Sequence, residues 1–115
     1  MYQYAAQVKR VIDGDSVVMV LDIGFDLTIQ ITTRLWHKDG MFDTPEVRGA
    51  SKVQGLESKQ FVLDWVKANG PDFVVHTHQD KRGKFGRYLA DIVTLRNEKL
   101  TECLLAHNLA KVIPW

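Results

Sequence analysis

Alternation of apolar and polar positions dominates the first third of the chain. From Phe25 to Arg34, Phe25, Leu27, Ile29 and Ile31 alternate with Asp26, Thr28, Gln30 and Thr32. A period of two is that of a half-buried strand, and its phase predicts those four apolar side chains on the core side and Arg34 on the polar side. Upstream, Ser16–Leu21 is a β-rich run followed by Ile23-Gly24, and Gln7–Ile12 reads as another strand joined to it by Asp13-Gly14-Asp15. The three form a meander. Helical spacing then takes over: Leu56, Phe61, Val62, Trp65 and Val66 can line one side of a helix from about Gln54 to Asn69, stopped by Gly70-Pro71. Phe73–His78 and Arg87–Val93 read as a fourth and a fifth strand. A short helix from Leu100 to about His107 follows, with Leu100, Cys103 and Leu104 on one face and Asn108 suited to close it.

Five strands with a helix after the third and another at the end predict an α+β, mainly β fold. The expected architecture is a small, partly open five-stranded β-barrel of the oligonucleotide-binding (OB) type with two or three helices. At 115 residues, 1–115 is expected to be a single domain with one modest core. Neither a repeat nor a low-complexity segment interrupts it.

Charge adds a direction. The net charge of +1 is uninformative, but residues 1–46 carry four Lys/Arg against seven Asp/Glu, and residues 47–115 carry eleven against seven. The segment Gln79–Arg87 alone holds four cations and one anion. An acidic cluster and a basic loop can hold a metal and a phosphate together, or can be two solvated loops of opposite sign. The longest apolar run, Val17–Leu21, is too short to span a bilayer. The first residues lack a signal-peptide pattern, and Cys103 is the single cysteine. An intracellular, cytoplasmic protein in a bacterium or a phage-infected cell is therefore expected.

Three segments carry the candidate chemistry: Val11-Ile12-Asp13-Gly14-Asp15-Ser16, Phe42-Asp43-Thr44-Pro45-Glu46-Val47-Arg48-Gly49 and Gly83-Lys84-Phe85-Gly86-Arg87. Singly each has a plain reading, since Asp-Gly is a common turn and Asp-Thr-Pro-Glu suits a helix start. Together, in this order, they resemble the staphylococcal-nuclease (thermonuclease-like) family, in its short phage or bacterial form. The resemblance runs from about Val8 to Val112 and includes Leu109-Ala110-Lys111-Val112.

What the resemblance implies is a calcium-dependent endonuclease, a hydrolase that cleaves phosphodiester bonds of DNA and RNA with little base preference. Asp15, Asp43 and the backbone carbonyl of Thr44 would ligate Ca²⁺, a hard cation that takes oxygen donors. Pro45 biases Thr44 toward extended backbone, which helps aim that carbonyl. Glu46 would orient or deprotonate the attacking water, and Arg34 and Arg87 would grip the phosphate as charge builds on it. Lys84 would contact substrate or remain solvated, and Phe85, where the family often has tyrosine, would offer a stacking face. The protein is expected to act as a monomer. Asp13 reads as a turn former, His76 and His78 as surface residues and Cys103 as a small core residue.

The chain departs from the family pattern twice. Arg34 to Asp43 is about four residues longer than the family's spacing, through His37-Lys38-Asp39-Gly40. This extra segment either bulges as a turn and leaves Arg34 facing the phosphate, as strand phase favours, or shifts Lys38 into that position. The sequence also ends at Pro114-Trp115, so a further C-terminal helix of larger members is not expected and the barrel should close with less buried area. The principal rival reading is a catalytically silent OB-fold domain that binds nucleic acid. A weaker one is a protein-interaction barrel.

Overall fold

The computed structural model describes residues 2–78 and 88–114. Strands β1 (Tyr2–Asp13), β2 (Ser16–Gly24) and β3 (Leu27–Leu35) form the meander, followed by the short β4 (Gly40–Asp43). Helix α1 (Lys52–Asn69), entered through a 3₁₀ turn at Gly49–Ser51, precedes β5 (Asp72–His78) and β6 (Tyr88–Thr94). Helix α2 (Leu100–Ala106) and β7 (Lys111–Pro114) end the fold. Five strands close into a barrel in the order β1-β2-β3-β6-β5, while β4 and β7 pair separately. The barrel strands are the five expected; β4 and β7 are additional. Closure comes from a parallel contact of β3 with β6, Thr33↔Tyr88 to Leu35↔Ala90, all other pairings being antiparallel. No helix among the described residues is long and apolar enough to cross a membrane.

Inward-facing Val17, Met19, Leu21, Phe73, Val75 and Ile92 fill the barrel, and Val62, Trp65, Leu100 and Leu104 cap it from the helices. The alternation along β3 marks the strand correctly but misplaces its burial. Phe25 and Asp26 belong to the hairpin turn, both with positive φ (54° and 59°), and Leu27 and Ile29 are exposed, with Ile31 half-buried. Among the described residues β3 gains its second neighbour only from Thr33 onward, and there burial begins, with Thr33 and Leu35 inside. A strand face is covered only where the sheet has curled back over it.

Helix α1 differs from expectation in a similar way. Its buried stripe runs through Gly55, Ser58, Val62 and Trp65, while Leu56 lies outside it, 45 % exposed. Small residues occupy the first two positions because chain passes close by. Ser58 Oγ donates to the Leu109 carbonyl (2.9 Å), and a methyl on Gly55 would overlap the Glu46 carbonyl. The helix ends at Gly70, whose N–H donates to the Val66 carbonyl. Asn108, with φ 57°, follows α2 as expected.

The extra segment after Arg34 forms a turn. His37 and Gly40 bridge across it, and the Asp39 N–H donates to His37 Nδ1 (3.1 Å). Ahead of the turn the Trp36 N–H donates to the Ala90 carbonyl (3.0 Å), and its ring stacks on His78 with centroids 3.7 Å apart. His78 Nε2 in turn lies 3.6 Å from the buried Asp91 carboxylate. His78 is therefore not a plain surface residue; the stack ties the turn to β5 and β6. Burial holds the Asp91 carboxyl above the ordinary carboxylate range, against the pull of Lys99 and His78. Cys103 is a free thiol packed half-buried against the core.

Candidate functional site

The Asp13–Ser16 hairpin brings the first acidic segment to one end of the barrel. Its reversal is tight, with Asp13 and Ser16 paired across two turn residues, and Gly14 is pressed against other chain. A Cβ there would lie 2.8 Å from Ser58 Cβ and 3.0 Å from Thr44 Oγ1, so only glycine lets the turn sit this close to the Asp43–Glu46 segment. The Asp15 carbonyl accepts from the Leu35 N–H (2.9 Å), which locks the turn to the end of β3 beside Arg34.

Arg34 reaches across the space between the two acidic segments. Its Nη2 lies 3.5 Å from Asp15 Oδ2 and 3.6 Å from Asp43 Oδ1, and it donates to the Phe42 carbonyl at 3.3 Å. These distances are ion-pair contacts with one hydrogen bond rather than a two-pronged fork on either carboxylate. Lys38, the other candidate cation, instead lines a separate small cavity of about 70 Å³ with Trp36, His37 and Asp91. The turn at 37–40 thus absorbs the extra length and leaves Arg34 facing the carboxylates.

A cavity of about 320 Å³ opens here, lined by Asp13, Asp15, Arg34, Asp43, Thr44 and Glu46, with Ser16, Thr32 and Thr33 alongside. Asp15 is buried (8 % exposed), and burial raises its carboxyl above the ordinary range. The Arg34 charge and a hydrogen bond from the Thr44 backbone N–H pull it back down, while Asp43 and Asp13 push it up. Ser16 Oγ adds a weaker donor to Asp15 Oδ1 (3.3 Å). Asp13, at the end of β1, thus lines the cavity as well as forming the turn. Glu46 is exposed at the margin, its backbone held by Ser51, whose hydroxyl donates to the Glu46 carbonyl (3.0 Å) and lies 3.2 Å from that of Arg48.

Two buried polar atoms of the cavity have no hydrogen-bond partner among the described residues: Arg34 Nε and Thr44 Oγ1. A buried donor without an acceptor costs about 1–3 kcal/mol. No protein-family model and no curated protein matches the chain. The residues themselves therefore carry the functional reading.

The structure brings together Asp15, Arg34, Asp43, Thr44 and Glu46 from three separate stretches of chain. Arg87, Lys84 and Phe85 lie outside the described residues. One nearby residue was legible only as part of the family pattern. Lys111 of β7 pairs directly opposite Asp43 of β4, which sets an exposed ammonium beside the acidic segment. Nothing local in the sequence signals this, because the two strands are 68 residues apart.

Among the described residues no three His, Cys, Asp or Glu side chains are grouped closely enough to hold a metal by themselves. The cavity does suit a hard cation in chemistry. Its donors are oxygens, and four carboxylates face one guanidinium. A phosphate entering that field would be repelled unless a further cation neutralised it.

Proposed function

We propose that this chain is a divalent-metal-dependent nuclease that hydrolyses phosphodiester bonds in DNA and RNA, using the cavity around Arg34. The observation that carries the reading is the guanidinium of Arg34, held between Asp15 and Asp43 with its buried Nε–H unpaired. A planar fork fixed by carboxylates, with a spare donor, is suited to an anionic tetrahedral group. The excess of carboxylates in the same cavity calls for a cation beside that anion. Asp15, Asp43 and the Thr44 carbonyl would hold Ca²⁺, with water and phosphate oxygens completing a shell that side chains alone do not fill. Calcium, when bound, supplies Lewis-acid charge to a phosphoryl oxygen.

The chain's own residues do the rest in this reading. Glu46, exposed at the cavity margin, takes a proton from the attacking water as the new oxygen–phosphorus bond forms. The Arg34 guanidinium donates to a phosphoryl oxygen as charge gathers there, and its ion pairs with Asp15 and Asp43 keep it oriented. The bond from phosphorus to the 5′-oxygen breaks, and that oxygen leaves with a proton from solvent. Arg87, as the family resemblance implies, would be a second phosphate grip.

One observation favours a silent nucleic-acid-binding barrel: Arg34 already partners both carboxylates, so the site is partly neutralised without a metal. Cleavage of single-stranded DNA separates the two readings. A nuclease cleaves with Ca²⁺, stops in excess chelator, and loses about 10²–10⁴-fold in rate on Glu46→Gln while still binding DNA. Wild-type protein that binds DNA but never cleaves it, whatever divalent metal is present, would overturn the nuclease reading.

A further inference from the structure

A second, larger groove of about 500 Å³ lies on the other side of the Asp43–Glu46 segment. Asp43, Thr44 and Glu46 line both spaces, so the segment is a ridge between two halves of one trough. The far wall comes from the chain after α2: Asn108, Leu109, Ala110 and Lys111. Nothing in the proposed chemistry uses that far wall.

Its composition differs from that of the first cavity. Two carboxylates face one ammonium here, against four facing one guanidinium at Arg34. A second phosphate is therefore repelled less on this side. Lys111 is exposed and directly opposite Asp43 in the β4–β7 register, and such paired residues start about 5 Å apart at Cβ. Its flexible stem lets the ammonium reach into the groove as a point charge for a phosphate. Leu109 and Pro45 supply apolar surface for a sugar or base. Asn108, held at φ 57°, adds an amide, and Ser51, whose hydroxyl proton is already given to carbonyls, can only accept. The volume lies within the usual range for a bound small molecule.

We propose that this groove is a nucleotide subsite: it seats the unit next to the scissile phosphate, with Lys111 on that unit's own phosphate. The assignment rests on the nuclease reading, which places the scissile phosphate at Arg34. It makes the strand cross the Asp43–Glu46 ridge, so that a substrate without a neighbouring nucleotide forgoes the contacts made there.

Steady-state cleavage with Ca²⁺ of a single-stranded DNA oligomer and of bis(4-nitrophenyl) phosphate, a diester too small to bridge the ridge, tests this directly. For Lys111→Ala the ratio of oligomer to small-diester kcat/KM should fall about tenfold, the usual order for losing one charged hydrogen bond. The loss should appear in KM, and Lys111→Arg should restore most of it. An equal loss on both substrates, or on neither, would overturn the subsite. A titration with tetrathymidylate followed by amide NMR shifts keeps the test independent of turnover. Shifts at Ser51, Asn108 and Lys111 support the groove even if no substrate is cleaved, which would sink the nuclease reading alone. Shifts confined to the Arg34 cavity, or none at all, would remove the groove.

Discussion

Gly55 offers a test of how the helix sets the position of Glu46. It lies in the first turns of α1, buried against the Glu46-Val47 backbone. An alanine there would overlap the Glu46 carbonyl and bring its Cβ to 2.8 Å from the Val47 nitrogen. Restoring ordinary contact requires the segment to retreat by about 1 Å. Overpacking of this kind costs about 1–3 kcal/mol, while alanine gains about 1 kcal/mol in helix propensity over glycine. Because the clash is with backbone rather than with a flexible side chain, the net loss in stability should lie at the upper end of that difference, about 2 kcal/mol. Function should suffer more, because displacing a catalytic group by about 1 Å can cost on the order of 10²-fold in rate, equivalent to about 2.7 kcal/mol of barrier. Gly55→Ala should thus lose much of its kcat on single-stranded DNA in the absence of denaturant, where it is still folded, while its urea midpoint falls by about 1 M. A folded variant with wild-type kcat would refute the claim that this close approach positions Glu46.

Two further outcomes follow from the same geometry. Arg34→Lys should reduce cleavage by about 10²–10³-fold, because an ammonium cannot meet two carboxylates and still present a fixed second donor. Lys38→Ala, in the turn that lines a separate cavity, should leave kcat near wild type, and the reverse pattern would mean that the assignment of these two residues is wrong. Asp91 should make stability fall with rising pH, because its folded carboxyl titrates above the unfolded value near 3.8 and its contribution is lost as pH climbs through that raised value. Asp91→Asn should therefore gain on wild type as pH rises above about 4 in denaturant titrations. A gap between the two that does not change with pH would count against a carboxylate held up by burial.

Local pattern alone determined a good part of this protein. The β-rich run of β2, the alternation in β3, helical spacing in α1, and the turn residues Gly24, Gly70 and Asn108 mark elements whose signals lie within a few neighbouring residues, and the five barrel strands follow from them. The same holds for the Asp-Gly-Asp turn, whose geometry is built from its own backbone. Strand phase also put Arg34 on the face opposite Thr33 and Leu35, which are inside. Burial, however, is a property of what covers a side chain. Leu27, Ile29 and Leu56 look like core in sequence and are exposed, because the sheet closes over β3 only from Thr33 and because α1 turns Gly55 and Ser58 inward to meet passing backbone. The two short strands β4 and β7 carry too few residues to show a period, and only their mutual pairing makes them strands. That pairing sets Lys111 beside Asp43, and the packing of Gly14 on Thr44 and of Gly55 on Glu46 draws the two acidic segments around Arg34. Charges distant in the chain meet where backbone approaches backbone, and tertiary packing decides where that happens.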